Sequence, residues 1–265
     1  MGSKKLKLKN LKYIKVYIHR YLNSDNPVAI AHRGGSYLGS ENTMEAFENA
    51  INMGFKFLET DIQITRDKKL IAFHDNTLNR VTDHKGYIIN KTWNELKKTK
   101  VAGKFNIPLL SDIFYSWPEI NLNIDPKNNA SISTLIEFLK ENNFFDRVCI
   151  GSFSGKRLET LRKIFGSSLC TSAGPLEVLK LKLSSLNLRN FKIDANCVQV
   201  PLKYFGIKII DRNFINYCHE LNLKVHVWTI NEIKEMEKLL DLGVDGIMSD
   251  NLEGLKTVLT KRNLW

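Results

Sequence analysis

Two histidines, His32 and His74, bracket an alternating pair of acids, Glu59 and Asp61, and a second alternating pair, Asp125 and Lys127, follows further along the chain. Imidazoles titrate near neutrality, so two of them can supply one general base and one general acid. Three carboxylates pointed at one place repel unless a cation sits among them, and an all-oxygen donor set suits Mg²⁺ or Ca²⁺ better than zinc. The guanidinium of Arg33 matches two phosphate oxygens, and Lys127 adds a second positive charge. One base, one acid and cations placed against a developing phosphorane are the parts needed to cleave a phosphodiester. Taken singly these signals are weak. A lone Glu-x-Asp is more often a solvated strand edge, and a lone strand-end histidine is more often structural.

The elements that must position these residues follow from the hydrophobic pattern. Beyond residue 26, short β-branched runs alternate with amphipathic helices, the pattern of a parallel sheet with crossover helices. Strands are expected at 28–32, 56–63, 70–74, 120–125, 147–152, 168–171, 197–200, 224–229 and 244–248, one more than a closed eight-strand barrel uses. The 70–74 run is the expected extra. Ile132, Leu135, Ile136 and Leu139 mark one helix, and Ile233, Met236 and Leu240 mark another. Asn42 with Glu45 predicts a capping box, and Gly54 a helix stop. No linker divides the series, so the expected organisation is an arm over residues 1–26 and one (β/α)8 TIM barrel over 27–265. Residues 75–110 form an insertion between its second and third main strands. In such a barrel the strands' C-terminal ends gather the chemistry. Residues two apart on a strand share a face, so Glu59 with Asp61, and Asp125 with Lys127, are expected to face inward. His32 continues the inward face of Val28 and Ile30, and Gly34–Gly35 is expected to let backbone N–H groups approach an anion.

Of the formal net charge of +11, residues 1–20 carry +7 and contain no acid. Basicity is thus a property of the arm, and no nucleic-acid partner is expected. Leu11, Ile14, Ile18, Tyr21 and Leu22 repeat at helical spacing between lysines. Packing of that face against the bottom of the barrel is the favoured expectation, and peripheral membrane contact through residues 4–22 is the alternative. No apolar run reaches the length of a signal-peptide core or a membrane span, which predicts a cytoplasmic protein. Leu6 stands where a myristoylation signal needs Ser or Thr. Cys149, Cys170, Cys197 and Cys218 lie far apart without a Cys-x-x-Cys pair, so they read as buried free thiols rather than a zinc site or a disulfide framework.

The chain resembles the glycerophosphodiester phosphodiesterase family in a series of short motifs in register over roughly residues 27 to 260. They are Ala31-His32-Arg33-Gly34-Gly35, Glu41 through Phe47, Leu58-Glu59-Thr60-Asp61, Phe73-His74-Asp75 through Arg80, Asn123-Ile124-Asp125-Pro126-Lys127, Val225 through Asn231, and Gly243 through Ile247. The resemblance implies a TIM barrel of the phospholipase C-like phosphodiesterase type. It also implies metal-dependent hydrolysis of glycerophosphodiesters to sn-glycerol 3-phosphate and an alcohol. Carried over by position, it makes Glu59, Asp61 and Asp125 the ligands of one divalent cation, Mg²⁺ or Ca²⁺. His32 and His74 become the acid/base pair, and Arg33 and Lys127 the phosphate contacts. Trp228 is implied at the substrate site, and Glu41 in support of the loop or within reach of the metal. Asp125 stands where Glu is frequent. Ser249-Asp250-Asn251 lacks the usual proline, which is expected to affect the last helix's entry more than catalysis.

Holding the attacking glycerol hydroxyl on the same molecule as the phosphorus supplies proximity without a protein nucleophile, so a cyclic phosphate intermediate is expected. Two other readings stand beside this one. One is a lysophospholipase D or sphingomyelinase D-like enzyme drawing lipids from a membrane. The other is a catalytically inactive barrel that binds anions or lipid surfaces. His226 is expected a layer below the site as a core residue, and His19, His84 and His219 in structural or surface roles. Oligomeric state leaves no signature in the sequence.

Overall fold

The computed structural model describes residues 18–35, 40–186, 188–189 and 191–265. Short apolar and β-branched runs form the parallel strands β1 (Val28–Ala31), β2 (Phe57–Ile64), β3 (Asn121–Pro126), β4 (Val148–Ile150), β5 (Cys170–Thr171), β6 (Cys197–Pro201), β7 (Lys224–Trp228) and β8 (Gly246–Ser249). Each leads to a helix: α1 (Met44–Asn52), α2 (Leu110–Ser116), α3 (Ser131–Asn142), α4 (Gly155–Phe165), α5 (Pro175–Ser185), α6 (Arg212–Glu220), α7 (Ile233–Leu242) and α8 (Leu252–Lys261). The strands pair in the order β5-β4-β3-β2-β1-β8-β7-β6. A parallel bridge from Ser172 to Cys197 joins the two ends, with the Ala173 N–H donating to the Cys197 carbonyl at 2.8 Å. The sheet therefore closes into a (β/α)8 barrel, as the alternating pattern predicts.

Strand alternation sorts side chains into two cores. Leu58, Ile62, Val198, Val200, Val225 and Val227 face outward and pack with helix residues such as Phe47, Leu135, Phe214 and Leu255. The inward positions stack in layers. Cys149, Cys170, Cys197 and Phe57 form the floor with Tyr21 and Leu22. Above them Gln199 donates to Asn123 and meets His226, which is buried a layer below the site as expected.

Leu70–Ala72 is the extra strand, antiparallel to β2 with Ile62 opposite Ala72. The insertion after it has its own apolar cluster of Ile71, Phe73, Leu78, Ile88, Leu96, Val101 and Ile107. The arm's residues 1–17 lie outside the described residues. From 18 onward, Ile18 is exposed, while Tyr21 and Leu22 sit in a short turn (Arg20–Leu22) and are buried against the barrel floor. Those two side chains are thus spent on the barrel and are not available to a membrane. No helix among the described residues is long and apolar enough to cross one.

The expected capping box at Asn42 is corrected. Thr43 is the N-cap of α1, its hydroxyl accepting from the Ala46 N–H, and Asn42 turns its amide elsewhere. Gly54 follows the helix end in the left-handed region, as predicted.

Candidate active site

The residues singled out above converge at the C-terminal mouth of the barrel. His32, Arg33, Glu59, Asp61, His74, Asp125, Lys127 and Trp228 all line one cavity of about 620 Å³. The route by which they arrive differs in two places from a continued strand. β1 stops at Ala31, and His32–Gly34 forms a 3-10 turn with Arg33, Gly34 and Gly35 all at positive φ. A Cβ at Gly34 would lie 2.7 Å from Phe47, and one at Gly35 would lie 2.5 Å from Leu252. The glycines are required by the turn and by the close approach of α1 and α8. The turn's Arg33 N–H donates to Glu59 Oε2 at 3.0 Å. Similarly, the extra strand ends at Ala72, and His74 lies in the bend after it, with Gln63 donating to its carbonyl.

Each histidine is oriented by a carboxylate at Nδ1, and Nε2 of His32 lies 3.9 Å from Glu59 Oε2. His32 Nδ1 lies 2.7 Å from Asp250 Oδ1, and His74 Nδ1 lies 2.6 Å from Asp75 Oδ1. Burial opposes the charged form of His32, but the Asp250 hydrogen bond and the charge of Glu59 outweigh it and raise its pKa above the ordinary value. Asp75 is held by Arg80, which also makes two hydrogen bonds to Glu41, and Glu41 accepts from Arg33. A continuous chain of charges therefore fixes both histidine loops against each other. Glu41 supports the loop, as expected.

Glu59 and Asp61 are buried side by side. Burial together with the Asp61 charge pushes the Glu59 carboxyl up to about 7. Burial also works against Asp61, yet Lys127 and Arg33 prevail and hold it below its ordinary value. Lys127 Nζ sits 2.7 Å from both Asp61 Oδ1 and Asp125 Oδ2. Arg33 Nε is 3.1 Å from Asp61 Oδ2 but out of line for a hydrogen bond. Asn42 completes the setting. It donates to Asp61 Oδ2, and its carbonyl oxygen accepts from the Thr60 hydroxyl and the Asp61 N–H. Burial raises the Asp125 pKa, and its Oδ1 is buried with no hydrogen-bond partner among the described residues. The unpartnered Asp125 oxygen and the Glu59 carboxyl are hard oxygen donors of the kind a divalent cation takes, while Lys127 and Arg33 already supply positive charge to Asp61 and Asp125.

Three residues of this network escaped the sequence reading as site residues. Asp250 was assigned to the entry of the last helix. In fact Asn251 caps α8, and Asp250 orients His32. Asn42 is expected as a cap, and Arg80 enters the sequence pattern only as the end of a motif; both instead hold the site's carboxylates. The four cysteines are free and buried, as expected. The barrel draws the sulfurs of Cys149, Cys170 and Cys197 within 4.8 Å of one another at the floor, a spacing at which three thiols could hold a metal ion. Wide separation along the chain conceals this. His84 and His219 pair with Asp83 and Asp245, and His19 meets the Ser168 carbonyl, in keeping with structural roles.

On the side away from the acids, the cavity wall is apolar. Phe153 packs edge-on against Trp228 with ring centroids 5.7 Å apart, and Leu176, Leu179, Phe205 and Ile207 continue the lining outward.

The closed barrel gathers two histidines, three acids, an arginine and a lysine around one cavity at its mouth, where the chemistry of such barrels collects. Residues 32–253 match the glycerophosphoryl diester phosphodiesterase family, and the chain belongs to that family. It is 32% identical to a probable glycerophosphodiester phosphodiesterase 2 of Mycobacterium tuberculosis, over 92% of this chain and 95% of that one. It is 27% identical to a lysophospholipase D of Mus musculus, over 87% of this chain and 85% of that one. Among solved structures, an Oleispira antarctica phosphodiesterase in complex with the product sn-glycerol-3-phosphate superposes with a TM-score of 0.72. That match has 23% identity and covers 90% of this chain and 99% of that one.

Proposed function

We propose that this phosphodiesterase hydrolyses glycerophosphodiesters to sn-glycerol 3-phosphate and an alcohol with the aid of one divalent cation, Mg²⁺ or Ca²⁺. The observation that carries the reading is the pair of histidines. Both are fixed at Nδ1 by a carboxylate, and both line the cavity that holds the buried acids. Family membership and the product named for the Oleispira antarctica relative support the substrate class.

In this reading one imidazole Nε2 takes the proton of the glycerol hydroxyl beside the phosphoester. That oxygen forms a bond to phosphorus, the bond to the leaving alcohol breaks, and the other imidazole protonates the alcohol oxygen. The cyclic phosphate is then opened by water with the two roles reversed. Arg33 and Lys127 bind the phosphate oxygens and offset charge built up at phosphorus. Glu59, Asp61 and Asp125 would hold the cation, which supplies Lewis-acid polarisation of the phosphate and of the attacking oxygen. Trp228 shapes the substrate side.

The test is release of glycerol 3-phosphate from glycerophosphocholine with Mg²⁺ or Ca²⁺, with and without EDTA. Turnover should vanish on chelation and in His32→Ala and His74→Ala, with the far-ultraviolet spectrum unchanged. No release with either cation overturns the proposal, and near-wild-type activity in either variant removes that histidine from the mechanism. The apolar cavity wall favours a second reading, cleavage of lysophospholipids at the same site, in agreement with the lysophospholipase D relative. Alcohol release from lysophosphatidylcholine in the parallel assay decides it.

A further inference from the structure

Helix α5 buries Leu181 against the core but also turns apolar side chains outward. Its buried positions include Lys182, Ser184 and Ser185, while Leu176, Leu179 and Leu186 on the outer side are 73%, 51% and 50% exposed. Leu176 and Leu179 fall at i and i+3 on one face of the helix, where a surface helix ordinarily carries charge, and Leu186 follows just past its end. Beside it, Lys203–Tyr204 and Ile207–Lys208 form a two-stranded hairpin. Its turn is Phe205-Gly206, both at positive φ, and Phe205 is 89% exposed. Two-residue turns of this kind favour Asn or Gly at the first position, and a bulky aromatic there is strained. The chain thus gives up local preference to hold an aromatic ring at a protruding tip, with Ile207 exposed next to it. Leu176, Leu179 and the tip all line the mouth of the active-site cavity.

We propose that α5 and the 203–208 hairpin form a docking surface for an anionic lipid bilayer, which seats the cavity mouth on the membrane. Lys180, Lys203 and Lys208 are exposed around the apolar surface. The acids nearby are already engaged, Glu177 by Arg162, Asp211 by Lys182 and Asp194 by Lys192. An apolar tip ringed by lysines complements acyl chains beneath anionic headgroups. A second copy of the chain is a poorer occupant, because a symmetric contact sets these lysines against themselves. The surface lies at the end of the barrel opposite Tyr21 and Leu22.

Full-length protein is to be sedimented with phosphatidylcholine vesicles with and without phosphatidylglycerol. Binding is expected with the anionic lipid, and the double variant Phe205→Asp, Ile207→Asp should lower the partition coefficient at least about tenfold. Phe205→Trp should gain emission that acyl-brominated lipids quench and aqueous acrylamide does not. The proposal is overturned by absence of binding, by undiminished binding of the double variant, or by added emission that remains open to acrylamide on bound protein. That last result would place the contact on the basic arm. None of these readouts needs turnover, so this surface and the proposed reaction can fail separately.

Discussion

Asp250 sets what His32 can do. Its Oδ1 lies at the ring's Nδ1, which fixes the neutral tautomer with a lone pair on Nε2, the nitrogen 3.9 Å from Glu59. Replacing the carboxylate by an amide removes both the charge and the certainty of that tautomer. Asp250→Asn should lower kcat on glycerophosphocholine at least about 100-fold with KM little changed, because the loss falls on proton transfer rather than on binding. An unchanged kcat removes Asp250 from the network. His32, Glu59 and Asp61 were legible from their types and spacing. Asp250 was not, because it comes beside His32 only through the register of β1 on β8, in which Ala31 is opposite Ser249. Asn42 was misread for a related reason. Only the closed fold shows that Asp61 claims its amide and that Thr43 caps α1.

The strands and helices themselves were read well where the pattern was long and alternating, as in β2 and α3. Ends were read less well, because His32 and His74 leave their strands in turns set by packing and by ion pairs rather than by local propensity. Asp245, in the turn before β8, shows how such ends are fastened. It accepts from the Val225 N–H and pairs with His219 on α6 and Lys224 on β7, while its own carbonyl accepts from Val28. Burial opposes its ionisation, but the Val225 N–H, Lys224 and His219 prevail and lower its pKa below the usual carboxylate value. The folded pKa lies below the unfolded one, so this stability is fully present above the unfolded value. It is lost as pH falls through the folded one. Asp245→Asn should therefore lower the unfolding free energy by about 1–3 kcal/mol at pH near 7. The gap from wild type should close below about pH 4, as measured by urea unfolding at a series of pH values. A gap that stays constant with pH would show that packing, not charge, is lost.

At the scale of the molecule, the closed barrel turns local motifs into a site. Glu59 and Asp61 meet Lys127 and Asp125 only because β2 pairs with β3 in the register Asp61 to Asp125. The same closure makes a floor as well as a mouth, and the floor depends on chain outside the repeat. Tyr21 fills it, with its ring 5.3 Å from Phe57 edge-on, against the three thiols. Its hydroxyl is buried without a hydrogen-bond partner among the described residues, and burial pushes its pKa well above the ordinary value, so within them the group contributes through its ring and not its oxygen. Removing an unsatisfied hydroxyl relieves a desolvation penalty, whereas removing the ring leaves a cavity under the barrel. Tyr21→Phe should match or exceed wild-type stability. Tyr21→Ala should cost about 3–5 kcal/mol, a loss typical of a deleted core aromatic. Denaturant unfolding of the two variants measures this directly. A Tyr21→Phe variant as unstable as Tyr21→Ala would mean that the hydroxyl, through a partner below the barrel, is what holds the segment in place.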